Sequence, residues 1–317
     1  MYQSPASKTH LNCHQLNEIN MELQTLSPTE DHAIYFREFI HKLVQKFKPL
    51  QIFSFFKHAY SQDDEGCFKE KAASYQCNYC LLLVTDSNTR IEHEIQDFAN
   101  GNYNHGIITI LSHGKETIKE AIMANNRFFI TVCSNAQLIY SHDGMTTFDF
   151  SNRFIPIGAA IKAREHFDHR ITLADGFLTG AHECIITEQH NACVFMLHQV
   201  VEQTCIALIR VHLAYRSDIH NLHRLLKLCC CFSDAPIKMF LSGSPDDERL
   251  FEILVKSYSA ARYKDTFNVS EDDSWLLYNK IIEFVTLAKV MCEEKIAQLT
   301  QQAMLYNEFV NLARASN

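Results

Sequence analysis

QCNYCLLLVTD, residues 76 to 86, decides how the front half of the chain folds, and three readings compete for it. Cys77 and Cys80 have the spacing of half a zinc site. The apolar run beside them suits a buried strand. The same strand suits a fold in which metal-binding carboxylates have given way to other residues. A zinc site needs four ligands that a turn brings together. No second Cys-x-x-Cys and no paired-His knuckle lies at a usual distance. In a strand, side chains at 77 and 80 face opposite ways, which prevents joint ligation. We expect a strand and no metal. The run Cys229-Cys230-Cys231 is read as packing at a helix end.

The neighbours of this strand extend the pattern. Residues 1–26 lack a sustained pattern and are expected to be a loosely held tail. Ser27-Pro28-Thr29-Glu30 then announces a helix, with a Ser N-cap, Pro at the first helical position and Glu completing a capping box. Pro49 ends it. Further strands are expected at Gln51 to Phe56, Ile107 to Leu111, Phe128 to Cys133 and Gln137 to Tyr140, with helices near Arg90 to Phe98 and Lys115 to Ala124. Strands alternating with helices predict a small mixed α/β domain over 27–150. From 151 to 317 the strand signal vanishes. Helices are expected near 155–178, 182–214, 220–231, 246–263 and 272–312, the last opened by Ser270-Glu271-Asp272-Asp273. The predicted fold class is thus α+β in two domains, a mixed sheet domain followed by an all-α bundle.

Composition limits the function classes. A length of 317 residues suits two domains, and 47% hydrophobic with 21% charged residues describes a globular chain. The net charge of -8 argues against broad DNA or membrane-surface binding, while leaving room for a local basic pocket. The N-terminus lacks an apolar signal core. The apolar stretch from Ala192 to Tyr215 is interrupted by His198, Gln199, Glu202, Gln203 and Arg210, as in a buried helix of a protein that does not span a membrane. The 12 cysteines show no regular framework, which suits reduced thiols and a cytoplasmic setting.

The order helix, strand, irregular polar stretch, strand resembles the minimal nucleotidyltransferase domain. In that family the first strand ends in Phe-Gly-Ser, whose small residues admit phosphates, and the second carries Asp-x-Asp, which holds Mg²⁺ and the triphosphate. The matching positions here are Phe55-Phe56-Lys57 and Asn78-Tyr79-Cys80. Phe56 and Lys57 replace Gly and Ser, and Asn78 and Cys80 replace both carboxylates. Mg²⁺ requires oxygen ligands in near-octahedral geometry, for which an amide is poor and a thiol worse. Asp63, Asp64 and Glu65 lie in the intervening loop and do not restore the strand geometry. The stretches 104–113, 126–129 and 138–140 look like the closing strands of long bacterial nucleotidyltransferase–HEPN fusions.

In the second half, Phe195 to Glu202, Tyr215 to Leu226 and Tyr258 to Tyr263 together resemble the HEPN domain, particularly the branch found in sacsin and in bacterial fusions. HEPN resemblance implies a homodimer whose cleft lies at the interface. His198 and Glu202 are one turn apart on a helix. They are either a hydrogen-bonded structural pair or part of a ligand pocket with His220 and Arg262. HEPN ribonucleases work without metal, using an Arg followed after four to six residues by a His. Here Arg216 precedes His220 by three intervening residues and His223 by six. If a helix begins near His220, the two histidines share a face. The favoured expectation is a non-catalytic or regulatory protein, without cofactor, that binds nucleotide or RNA. In it, an inactive transferase-like domain serves as scaffold. The alternative is a metal-independent, toxin-like ribonuclease using Arg216 with His220 or His223, restrained by the N-terminal domain. A third is a purely structural interaction protein.

Overall fold

The computed structural model describes residues 30–66, 69–87, 91–144 and 153–315. The expected tail and the Ser27-Pro28-Thr29 part of the first capping box lie outside the described residues. The chain runs α1 (Glu30–Phe47), β1 (Gln51–Gly66), β2 (Lys69–Thr85), α2 (Glu92–Asn102), β3 (Ile108–Gly114), α3 (Lys115–Met123), α4 (Arg127–Asn135) and β4 (Gln137–Ser141). The helical half follows as α5 (Ala159–Ile186), α6 (His190–Leu213), α7 (Leu222–Cys229), α8 (Ala235–Lys238), α9 (Pro245–Tyr263) and α10 (Glu271–Ala315). A mixed sheet domain therefore precedes a helical region, in agreement with the fold class expected from sequence.

The four strands lie in the order β3-β2-β1-β4, with β1 and β2 antiparallel and β2 and β3 parallel. The central strand β2 is covered on both faces, as its unbroken apolar run requires. Cys77, Tyr79, Leu81 and Leu83 pack towards α1 and α2, whereas Cys80, Leu82 and Val84 join the core of the helical half. Cys77 and Cys80 thus belong to opposite faces. Tyr79 stacks on Phe36 of α1 at 3.9 Å. Gly106 lets the chain entering β3 reach β2: its φ is +136°, and a Cβ there would lie 2.2 Å from the Cys77 carbonyl oxygen.

Several expectations need correction. Phe128 to Cys133 is helix α4, not strand. The Asn126 side chain accepts from the Phe128 and Phe129 N–H groups at 3.0 and 3.4 Å, and this N-cap overrides the β propensity of FFITV. The first two strands are far longer than expected and pair almost to the hairpin tip, so Asp63, Asp64 and Glu65 lie on β1 and not in a loop. Helix α5 continues through Gly180 to Ile186, beyond its expected end at 178. A Cβ at Gly180 would come 2.8 Å from Met196 Sδ, so the bare backbone lets α6 approach. The short helix α8 was not expected. At α10, Ser270 Oγ accepts from the Asp273 N–H at 3.1 Å, the geometry its capping pattern predicts.

Helix α6 is the axis of the bundle, with α5, α7, α9 and α10 around it. It is long and apolar enough to cross a bilayer by length and composition, but 78% of that window is buried inside the protein. Its core is continuous with one face of the sheet. The seam is polar as well. Arg224 of α7 donates to Glu92 Oε1 at 2.8 Å and to the Ile110 carbonyl at 2.9 Å. Arg127 reaches the Val211 and His212 carbonyls at 2.6 and 2.9 Å, capping the negative end of α6.

Candidate functional site

Two places carry the side chains singled out in the sequence. The first is the face of the sheet where Asn78 and Cys80 stand. Register places Phe56 opposite Cys80, Lys57 opposite Tyr79 and His58 opposite Asn78. Phe56, His58, Asn78 and Cys80 line a cavity of only 10 Å³, closed by Lys227 and Cys230 at the end of α7. Such a space holds about one water. Asn78 Oδ1 accepts the Ile107 N–H at 2.8 Å and so helps hold β3. The Cys231 thiol is held well above its usual range, first by its contact with the Cys80 side chain and then by burial. Lys57 lies outside this pocket, its Nζ 5.8 Å from the Tyr79 ring centre. The residues present do not fit Mg²⁺ with a triphosphate: one amide oxygen is engaged, the thiol is packed, and no carboxylate lines the pocket.

The second place is on the bundle. His198 and Glu202 follow one another by one turn along α6 and are 2% and 3% exposed. They do not pair as the structural reading expected. Instead Glu202 Oε1 lies 3.1 Å from His220 Nδ1, and Glu202 Oε2 is buried without a hydrogen-bond partner. The His198 ring packs against Tyr258 at 5.0 Å, and its Nδ1 lies 3.4 Å from Gln199 Nε2. Burial first, and then repulsion from His220 and Arg262, lower the His198 pKa to about 4. His198 is therefore neutral near pH 7.

Arg262 packs on Tyr258, the ring that lies against His198. It is exposed and does not pair with Glu202. Its Nε donates to the Tyr258 carbonyl at 2.7 Å. Its guanidinium lies over the rings of Tyr258, Tyr263 and Phe195 at 4.5, 5.1 and 5.4 Å. The result is an aromatic ledge with a positive charge, beside an imidazole whose side chain is 63% exposed.

The segment 215–221 has no regular secondary structure, and Tyr215, Ser217 and Ile219 are buried while Arg216, Asp218 and His220 are exposed. Arg216 lies with its Nε 3.9 Å from Asp218 Oδ1 and lines a 480 Å³ cleft with Glu92 and His113. Helix α7 starts only at Leu222, capped by Asn221 Oδ1, which accepts the Arg224 N–H at 3.0 Å. His220 therefore precedes the helix and shares no helical face with His223. His223 turns instead to the edge of Phe251 at 4.8 Å, and burial lowers its pKa. Arg216, His220 and His223 occupy three separate surroundings within the single chain.

Residues 168–291 match the HEPN domain family. The helical half carries a HEPN domain. Its match begins within α5 and ends within α10, so His198, Glu202, Arg216, His220, His223 and Arg262 all fall inside the HEPN residues. No curated protein matches the chain. Sequence reasoning missed Arg224, whose side chain is 12% exposed at the seam between sheet and HEPN domain. Its signal was present only as one more basic residue in a helix, because Glu92 lies far away along the chain.

Proposed function

We propose that the protein is a binding or regulatory HEPN protein whose ligand, a nucleotide or RNA, enters the cleft of His198, Glu202, His220 and Arg262. Residues 27–150 serve it as an inactive nucleotidyltransferase-like scaffold and residues 151–317 as the bundle. The observation that carries this reading is the buried Glu202 oxygen without a partner, next to an aromatic ledge that bears a guanidinium. An unmatched buried carboxylate oxygen favours a donor such as a base amino group, the ledge offers a stacking surface, and Arg262 offers phosphate a counter-charge. The filled sheet face supports the scaffold role. A homodimer formed through the bundle belongs to this proposal, because HEPN resemblance implies it.

Calorimetry with AMP and ATP, and anisotropy with a labelled single-stranded RNA, test it. The wild-type chain binds at least one of them, and Arg262→Ala weakens that binding about tenfold by removing a charge-assisted contact. No binding to any of the three rejects the reading.

One observation favours a second reading. Glu202 holds His220 through Nδ1 and leaves Nε2 towards solvent, the arrangement that orients an acid–base imidazole. This is the restrained, metal-independent ribonuclease, in the manner of a toxin held by its antitoxin. Cleavage of labelled RNA in EDTA that disappears in His220→Ala establishes it and displaces the binding-only reading.

A further inference from the structure

Where the sheet domain meets the start of the bundle lies a cavity of about 270 Å³, walled by Phe154, Ile157 and Leu299 and by three cations, Arg127, Lys162 and Arg210. No Asp or Glu lines it. Its neutral polar side chains are engaged. Asn125 exchanges bonds of 2.7 and 2.9 Å with the Ile155 backbone, and Asn126 caps α4. The cations meet only neutral partners: Arg127 donates to two carbonyls at the end of α6, and Arg210 to the Ala214 carbonyl at 3.1 Å. Among the described residues, no carboxylate lies within 4.0 Å of Arg127, Lys162 or Arg210. These carbonyls at the C-terminus of α6 supply only a partial negative charge, which offsets the two guanidinium groups in part.

Along α5, Lys162, His166 and Arg170 recur at one-turn spacing and share a face, with Lys162 and Arg170 carrying the positive charge. His166 Nε2 and Arg170 Nε are buried without hydrogen-bond partners, while another nitrogen of Arg170 donates to Gln203 at 2.6 Å. Burial, and then Arg210, Arg170, His169 and Arg216, lower the His166 pKa to about 4. Helix α5 also begins at the cavity, without a side-chain cap or an acid in its first turn, so its dipole adds to the same sign.

We propose that this junction cavity binds a small phosphomonoester, with Lys162 and Arg210 on the phosphate oxygens and its organic part against Phe154, Ile157 and Leu299. The volume lies just below the range of roughly 300–1,000 Å³ typical of drug-sized ligands, which favours a compact molecule. Lys162 and His166 precede the HEPN match, so the site belongs to the junction and not to the HEPN residues alone. It stands independently of the cleft at Glu202.

Calorimetry on the full chain, in buffer free of phosphate and sulfate, uses inorganic phosphate and phenyl phosphate as probes, with a short oligouridylate as the polymeric arm. Both small probes bind at one per chain, phenyl phosphate more tightly because of the apolar wall. Lys162→Glu, at an exposed position, weakens both by about tenfold or more. Arg210→Gln does the same in a chain whose circular dichroism melt confirms folding, and His220→Ala leaves both unchanged. The proposal is overturned if neither small probe binds, or if Lys162→Glu leaves their affinity intact. It is equally overturned if His220→Ala abolishes their binding, or if only the oligouridylate responds to Lys162→Glu. A loss confined to His220→Ala sinks this site while leaving the cleft reading standing.

Discussion

On the sheet, Asn78 gives its oxygen to the Ile107 N–H, Cys80 packs against the end of α7, and 10 Å³ remains. On the bundle, Glu202 gives one oxygen to His220 and keeps the other unmatched, beside exposed Arg262 and its aromatic ledge. Both places looked chemical in the sequence. They differ in whether folding itself consumes the polar groups. Where every donor and acceptor is matched internally, a ligand has nothing to gain. Where a buried acceptor is left over, bringing it a donor recovers desolvation free energy.

The sharpest way to break the comparison is through the backbone of the closed side. Gly106→Ala combines a positive φ with contact on the Cys77 carbonyl, so the β2–β3 approach has to open. We expect a loss of about 4 kcal/mol in chemical denaturation, the range reserved for strained or clashing sites. A loss below 1 kcal/mol, by the same measurement, would show that the sheet edge is looser than described.

Next in size is the seam that seals the sheet. Arg224→Ala leaves Glu92 and the Ile110 carbonyl without their shared donor, and we expect about 3 kcal/mol of destabilisation. Glu92→Gln, which keeps an acceptor for Arg224, should cost less. Equal losses in the two variants would remove the argument that Arg224 holds both partners.

The open side answers to pH. The His198 pKa is about 4 in the folded chain against an ordinary 6.5. The unfolded chain therefore takes up the proton first as pH falls. The His198 contribution is full above about pH 6.5 and is lost through the window down to about pH 4, amounting to roughly 2 kcal/mol by pH 5. His166 and His212, also lowered to about 4 by burial first, act in the same direction. Thermal melts of wild type and His198→Phe across this window separate the parts: the variant should show the shallower acid loss. Identical slopes would mean that His198 is not held neutral.

How much of this was legible in the sequence depends on whether the signal was local. The Ser270 cap, the helical texture after residue 150 and the opposed faces of Cys77 and Cys80 follow from spacing alone, and the structure has them. Phe128 to Cys133 was misread because β-prone residues were weighed without the Asn126 cap before them. His220 was placed beside His223 because the helix start was set one residue before Asn221 and two before the first helical residue. Glu202 with His220, and Arg224 with Glu92, are pairings across the fold. Their partners are far apart along the chain, and no periodicity links them. The closure of the sheet face by Lys227 and Cys230 was invisible for the same reason.

The smallest expected effect sharpens the open side most. His223 meets Phe251 by an edge contact, whereas Glu202 bonds to His220, and the ledge under Arg262 is made by Tyr258, Tyr263 and Phe195. His223→Leu keeps the apolar contact and removes only the imidazole, so stability should stay within about 0.5 kcal/mol and nucleotide or RNA affinity should not change. His220→Ala, only three residues earlier, removes the partner of a buried carboxylate and should weaken binding about tenfold. The pair of variants divides the two histidines by surroundings and not by position in the chain. If anisotropy shows His223→Leu losing RNA affinity while His220→Ala keeps it, the spacing to Arg216 decides the site and the unmatched Glu202 oxygen does not.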